Sequence, residues 1–149
     1  MAAHSAGILL VRGHLASREV LIGHMGGPFW ARKDEGAWSI PKGEYDPASE
    51  QAWDAARREF EEELGLPVPD GPTTELGVFR VTSSKQLTVF RVAADLDVTA
   101  AVFGEFELEW PPRSGRIERF PEMDRVAWTA VAVARARLVT GQRRLLDLI

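Results

Sequence analysis

Between Gly43 and Leu66 the chain reads GEYDPASEQAWDAARREFEEELGL, crowding six glutamates around the pair Arg57-Arg58. Carboxylates at helical spacing repel one another unless positive charge sits among them. Asp46-Pro47 has the form of a helix start, with Asp as N-cap and Pro at the first helical position. Leu64-Gly65 has the form of a stop, with Gly65 where a left-handed residue is needed. On that helix Glu59, Glu62 and Glu63 stand at i, i+3 and i+4 and project from one face. Trp53, Ala56, Phe60 and Leu64 fall on another stripe that can pack on a core. The simpler alternative is an exposed acidic amphipathic helix, since charge runs are usually solvated. An acidic face set apart from an apolar one favours a function for the charge. Oxygen-only ligand sets select hard divalent cations such as magnesium or manganese.

Composition bounds the rest. A chain of 149 residues is expected to form one domain, residues 1–149, with a full core. Cysteine is absent, which excludes disulfides, thiolate zinc sites and cysteine nucleophiles. The net charge of −4 argues against broad nucleic-acid binding but not against a local basic patch. No apolar run is long enough to span a membrane, and MAAHSAGILLVRG lacks a signal-peptide layout, so a cytoplasmic location is expected.

Along the chain, residues 5–11 and 19–23 have the pattern of paired strands. A loop opens at Gly26-Gly27-Pro28, and residues 38–40 form a short strand candidate running into Pro41-Lys42-Gly43. Residues 75–81 and 87–94 suggest a hairpin turned at Ser83-Ser84-Lys85. FGEFELEW, residues 103–110, alternates as a half-buried strand does, and Arg125 to Thr129 suggests a final strand. Residues 130–139 and 143–148 have helical patterning. Strands around helical segments imply an α+β domain.

The spacing inside the acidic segment carries a resemblance. Gly43, six residues, Glu50, seven residues, then Arg58-Glu59-Phe60-Glu61-Glu62-Glu63-Leu64-Gly65-Leu66 is similar to the Nudix box. That pattern is glycine, five residues, glutamate, seven residues, then Arg-Glu-apolar-x-Glu-Glu-x-Gly-apolar. Every fixed position from Glu50 onward agrees, and one extra residue separates Gly43 from Glu50. The resemblance implies the Nudix fold, a mixed β-sheet sandwiched between α-helices, and a metal-dependent hydrolase of phosphoanhydrides. It implies Mg²⁺, with Mn²⁺ as a substitute, held by Glu59, Glu62 and Glu63 and joined by the carbonyl of Lys42. It implies that Arg58 bridges to Glu50 as a structural pair, with Gly43 and Gly65 as structural glycines. Glu61 is expected to face solvent, and Phe60 and Leu66 to be core. Candidates for the general base are the box glutamates Glu59 and Glu62, the distal Glu122, six residues ahead of Trp128, and its rivals Glu107 and Glu109.

Substrate choice must come from outside the box. Trp38-Ser39-Ile40-Pro41-Lys42-Gly43 resembles the lead-in of hydrolases of dinucleoside polyphosphates and diphosphoinositol phosphates. Lys42 could meet an outer phosphate. Phe29, Trp30 and Trp38 could stack on a nucleobase, although core packing is expected for at least one of these tryptophans. Arg32, Lys33, Lys85, Arg113, Arg116 and Arg119 could build a phosphate-attracting rim, although arginine-rich loops are usually just solvated. His4, His14 and His24 lack metal-ligand spacing and are expected in surface or packing roles. The expected partner is a small nucleotide, without a membrane, and a homodimer is compatible. ADP-ribose or other sugar nucleotides, diphosphoinositol phosphates and RNA 5′ ends stay open as substrates. A different class, a catalytically silent nucleotide-binding module, would be expected to have lost box carboxylates, whereas here Glu59, Glu62 and Glu63 are all present.

Overall fold

The first strand explains the architecture. SAGILLV has no polar face, because Ala6, Ile8 and Leu10 point into one core cluster while Leu9 and Val11 point into another. A strand buried on both faces must be covered by helices on both sides, and it is. The computed structural model describes residues 3–149, so the first two positions of the expected 1–149 domain lie outside the described residues.

Strands β1 (Ala3–Arg12), β2 (Glu19–Met25), β3 (Trp38–Ser39), β4 (Lys42–Glu44), β5 (Thr73–Thr82), β6 (Lys85–Ala93) and β9 (Met123–Ala130) form one mixed sheet. Its main path runs β3-β2-β1-β6-β5, with β4 pairing β1 and β9 pairing β2. β1 and β6 run parallel from Ala3↔Lys85 to Val11↔Ala93, whereas β5 and β6 form the expected antiparallel hairpin. Helix α1 (Ala52–Leu64) covers one face through Ala55, Ala56, Phe60 and Leu64. Helix α2 (Val131–Arg137) and the 3₁₀ segment Thr140–Leu148 cover the other through Ala134, Leu145 and Leu146. Strands β7 (Glu105–Glu109) and β8 (Ile117–Pro121) form a separate antiparallel ribbon. This is the Nudix fold, a mixed sheet between helices.

Local expectations need three corrections. α1 begins at Ala52 behind Gln51 instead of at Asp46-Pro47. Asp46 instead organises a turn, accepting from the Ala48 N–H with its carboxylate and from the Ser49 and Glu50 N–H groups with its carbonyl. In one continuous helix, Glu50 and Arg58 would be separated by about 12 Å of rise. Breaking the chain before α1 lets Glu50 fold back onto that arginine. The helical segment expected over residues 143–148 is a 3₁₀ helix that begins at Thr140, and its three-residue repeat puts Gln142 and Leu145 on one buried face. Leu66 is half-buried instead of fully in the core. β8 is a strand for which no expectation was set, although IERFP does alternate charged and apolar residues.

The end of α1 follows the expected chemistry. Gly65 takes φ 67° and its N–H donates to the Glu61 carbonyl. A Cβ there would meet the Val102 carbonyl at 2.7 Å. Trp53 packs edge-on against Phe90 with ring centroids 5.1 Å apart.

Candidate metal centre

Helix α1 delivers its carboxylates to the surface where β4 begins. Glu59 lies so close to Gly43 that any side chain at 43 would collide with its carboxylate. The segment with the extra residue between Gly43 and Glu50 contains the Asp46 turn, and the glycine still meets the helix. Glu63 is buried, 8% exposed, and accepts a hydrogen bond from the Lys42 backbone N–H at 3.3 Å.

Arg58 ties the acidic face together. Its Nε and Nη2 donate to the two oxygens of Glu50, both at 2.9 Å, a bidentate pair. Its Nη1 donates to Glu59 at 3.0 Å and to Glu62 at 3.2 Å. The Glu50 bond is the main cause of the guanidinium's raised pKa, and the same bond lowers that of Glu50.

The other carboxylates are held unfavourably. Burial is the main cause that pushes Glu63 up to about 8, and the neighbouring Glu122 charge adds to it. Burial also raises Glu59, reinforced by Glu62. Carboxylates gathered without enough positive charge resist ionisation, and a divalent cation among them would remove that resistance. The donor set therefore fits a hard cation. Glu62 is turned toward Arg58, and no trio of acidic or histidine side chains among the described residues is already closed as a metal shell. Glu59 and Glu63 could hold such an ion, and Glu62 could join by leaving Arg58.

Next to this face is a cleft of about 260 Å³ lined by Lys42, Glu63 and Glu122 together with Trp30, Phe106 and Met123. Glu122 is held at its backbone, with its N–H on the Gly104 carbonyl and its own carbonyl accepting from Gly26 N–H. Of the base candidates outside the box, this one alone lines the cleft. Glu107 faces Arg119 at 3.6 Å and Glu109 accepts from the Arg113 N–H, both exposed on the ribbon.

The remaining substrate candidates separate. Trp38 is buried, 3% exposed, and donates through Nε1 to Asp34, so it has no face free for a base and is corrected to a core residue. Trp30 lines the cleft instead, with the Lys33 ammonium 5.3 Å over its ring. Exposed Phe29 packs edge-on with Trp110 of the ribbon, centroids 5.4 Å apart. Arg32 is exposed on the loop after Trp30 and does not line the cleft. Lys85 sits exposed at the start of β6, opposite Ala3, and Arg116 faces Glu118, so neither is brought to the cleft. Phe106, Met123 and Met25 line it without having been singled out, because apolar alternation marks a strand face and not what that face meets.

A search of curated proteins finds no match. Solved structures similar to the chain include the C. elegans Ap4A hydrolase, at 18% identity over 98% of this chain and 93% of that one, with a TM-score of 0.62. The NUDIX domain of Shewanella oneidensis NrtR, solved with ADP ribose, is similar at 13% identity over 99% and 86%, TM-score 0.62. MutT of Bacillus halodurans is similar at 15% identity over 97% and 80%, TM-score 0.59. At such identities the likeness is one of fold. The family model described as NUDIX domain matches residues 1–149, and the chain belongs to the Nudix family as a hydrolase acting on phosphoanhydrides.

Proposed function

We propose that this protein is a divalent-metal-dependent pyrophosphohydrolase that cleaves a phosphoanhydride bond of a nucleoside polyphosphate or dinucleoside polyphosphate. The observation that carries the reading is the convergence of the buried Glu63 with Lys42 and the exposed Glu122 on one cleft beside Glu59 and Arg58. Glu59, Glu62 and Glu63, with the Lys42 carbonyl, would hold Mg²⁺ or Mn²⁺. Such an ion supplies charge neutralisation on phosphoryl oxygens and a more acidic bound water.

The chain's own groups do the rest. Lys42 meets an outer phosphate as a point charge. Glu122 takes the proton from a water that attacks phosphorus, and the P–O bond to the leaving phosphate breaks as the new one forms. Glu59 and Glu62 are kept from mutual repulsion by Arg58 until the ion arrives. A cleft of about 260 Å³ suits a stretch of phosphates better than a whole dinucleotide, so the bases would lie on the rim of Phe29, Trp30 and Trp110. The preference for several phosphates rests on Lys42 and the Trp38-to-Gly43 lead-in, in which Trp38 now serves packing alone.

A substrate panel tests this. Diadenosine tetraphosphate, nucleoside triphosphates, ADP-ribose and a diphosphoinositol phosphate are compared by kcat/KM with magnesium. The expected order places the first two well ahead, with Lys42→Ala harming the longer phosphate chain most. A clear preference for ADP-ribose would overturn the substrate class while leaving the hydrolase intact. Absence of turnover on every compound, with and without Mg²⁺ or Mn²⁺, would favour the silent binding module.

A further inference from the structure

Expected at the surface or in packing, His24 is fully buried near the end of β2, and both of its ring nitrogens are engaged. Nε2 lies 2.6 Å from the Lys33 carbonyl, and Nδ1 lies 2.8 Å from Asp124 Oδ1. The Lys33 carbonyl can only accept, so Nε2 donates to it, and Nδ1 shares the second hydrogen bond with the Asp124 carboxyl group. Burial by itself calls for partners at both nitrogens, so what distinguishes His24 is where those partners lie.

The partners matter because of where they sit. The β2–β9 register skips one residue here, from His24↔Arg125 to Met25↔Met123, leaving Asp124 as the extra residue of a bulge. A bulge re-aims the side chains around it. Two residues before Asp124 is Glu122, which lines the cleft. Lys33 closes the loop that carries Trp30, the opposite contribution to the lining, and its N–H bonds the Trp30 carbonyl. Behind the ring, Trp38 stacks edge-on on His24 at 5.4 Å and donates to Asp34 of the same loop. Arg137 of α2 lies over Trp38 and faces Asp34 at 3.6 Å, while Arg125 of β9 covers the same indole.

We propose that His24 is a positioning residue that couples two walls of the cleft, holding the Trp30–Lys33 loop through Nε2 and the Glu122 bulge through Nδ1. The two bonds then have separable consequences. The loop bond controls how substrate is held, and the bulge bond controls where the Glu122 carboxylate points. The kinetic half of this rests on the proposed hydrolytic function; the hydrogen-bond bracket does not.

Side-chain amides separate the two arms, because an Asn amide nitrogen stands near the place of Nδ1 and a Gln amide nitrogen near that of Nε2. With diadenosine tetraphosphate or ATP and magnesium, His24→Phe is expected to raise KM and lower kcat, each about tenfold, the scale of one lost hydrogen bond. His24→Asn should restore kcat but not KM, and His24→Gln should restore KM but not kcat. Identical kinetics for the Asn and Gln variants would overturn the proposal, as would a fall in melting temperature with kcat and KM within twofold of the parent. ¹⁵N-histidine NMR of the unmodified protein gives a readout that does not depend on a variant folding or on turnover. A slowly exchanging N–H signal is expected at the His24 Nε2, whose partner is a carbonyl that can only accept, with a hydrogen-bond-shifted Nδ1 beside Asp124; a fast-exchanging or bare Nε2 would refute the bracket. Failure of the unmodified protein to turn over either probe would count against the proposed function, with the NMR result still deciding His24.

Discussion

At the scale of single residues, Glu63 carries the most strain. Its carboxyl is pushed up to about 8, whereas the unfolded chain returns it to an ordinary value near 4.5. Between those limits the folded protein binds more protons than the unfolded one, so this group's contribution to stability is fully present below about pH 4.5 and is lost as pH rises through 8. In metal-free protein, Glu63→Gln should therefore raise the melting temperature by several degrees at pH 9 and leave it nearly unchanged at pH 4.5, read by thermal melts across that range. The same change should slow hydrolysis in magnesium by about a hundredfold or more, as should Glu62→Gln, because each removes charge from a proposed metal ligand while keeping shape. Near-normal turnover by either variant would remove it from the metal site. Arg58→Ala leaves three carboxylates without their shared partner. Both melting temperature and activity should fall, and an activity loss with unchanged melting temperature and metal affinity would instead point to direct substrate contact.

At the scale of elements, α1 works because its two ends are fixed by different devices. Its N-terminal side is set by the Asp46 turn and the return of Glu50 to Arg58, not by a capping side chain. Its C-terminal side needs Gly65, whose left-handed backbone and close approach to Val102 leave no room for a side chain. Gly65→Ala adds about 1 kcal/mol of backbone strain before the collision with Val102 is counted. Thermal denaturation should show a loss of about 5 °C, on the usual scale of a few degrees per kcal/mol. The β7–β8 ribbon, by contrast, sends glutamates outward and Phe106 toward the cleft, which is why Glu107 and Glu109 are poor rivals to Glu122.

At the scale of the whole molecule, the proposed metal site would link folding to pH. An ion that binds only the folded state adds about 2.7 kcal/mol at a hundred times its Kd. Magnesium should therefore raise the melting temperature at pH 8, more than at pH 6, where protons compete for Glu63. Glu63→Gln should abolish most of that rise. A melting temperature indifferent to magnesium at both pH values would detach the ion from this face. Among the described residues no helix is long and apolar enough to cross a membrane.

What the amino-acid order determined by itself was local and periodic. The continuous apolar run of SAGILLV, the stripe Ala56-Phe60-Leu64 and the fixed spacing from Glu50 to Gly65 are properties of neighbours in the chain, and they specify strand, helix and family without distant contacts. Even there the helix start was misplaced, since Asp46-Pro47 has equal local merit as a cap or a turn, and only the reach of Glu50 to Arg58 decides between them. The tertiary structure alone decided what lies opposite what. Trp38 and Trp30 are both tryptophans beside a loop, and burial against His24 and Arg137 removed the first from the cleft and left the second in it. Glu122 stands 59 residues beyond Glu63 in the chain, and their electrostatic coupling exists only because β9 docks beside β2. Side-chain chemistry is written residue by residue, but electrostatic energy depends on distance and burial, and both are set when the sheet and its helices close.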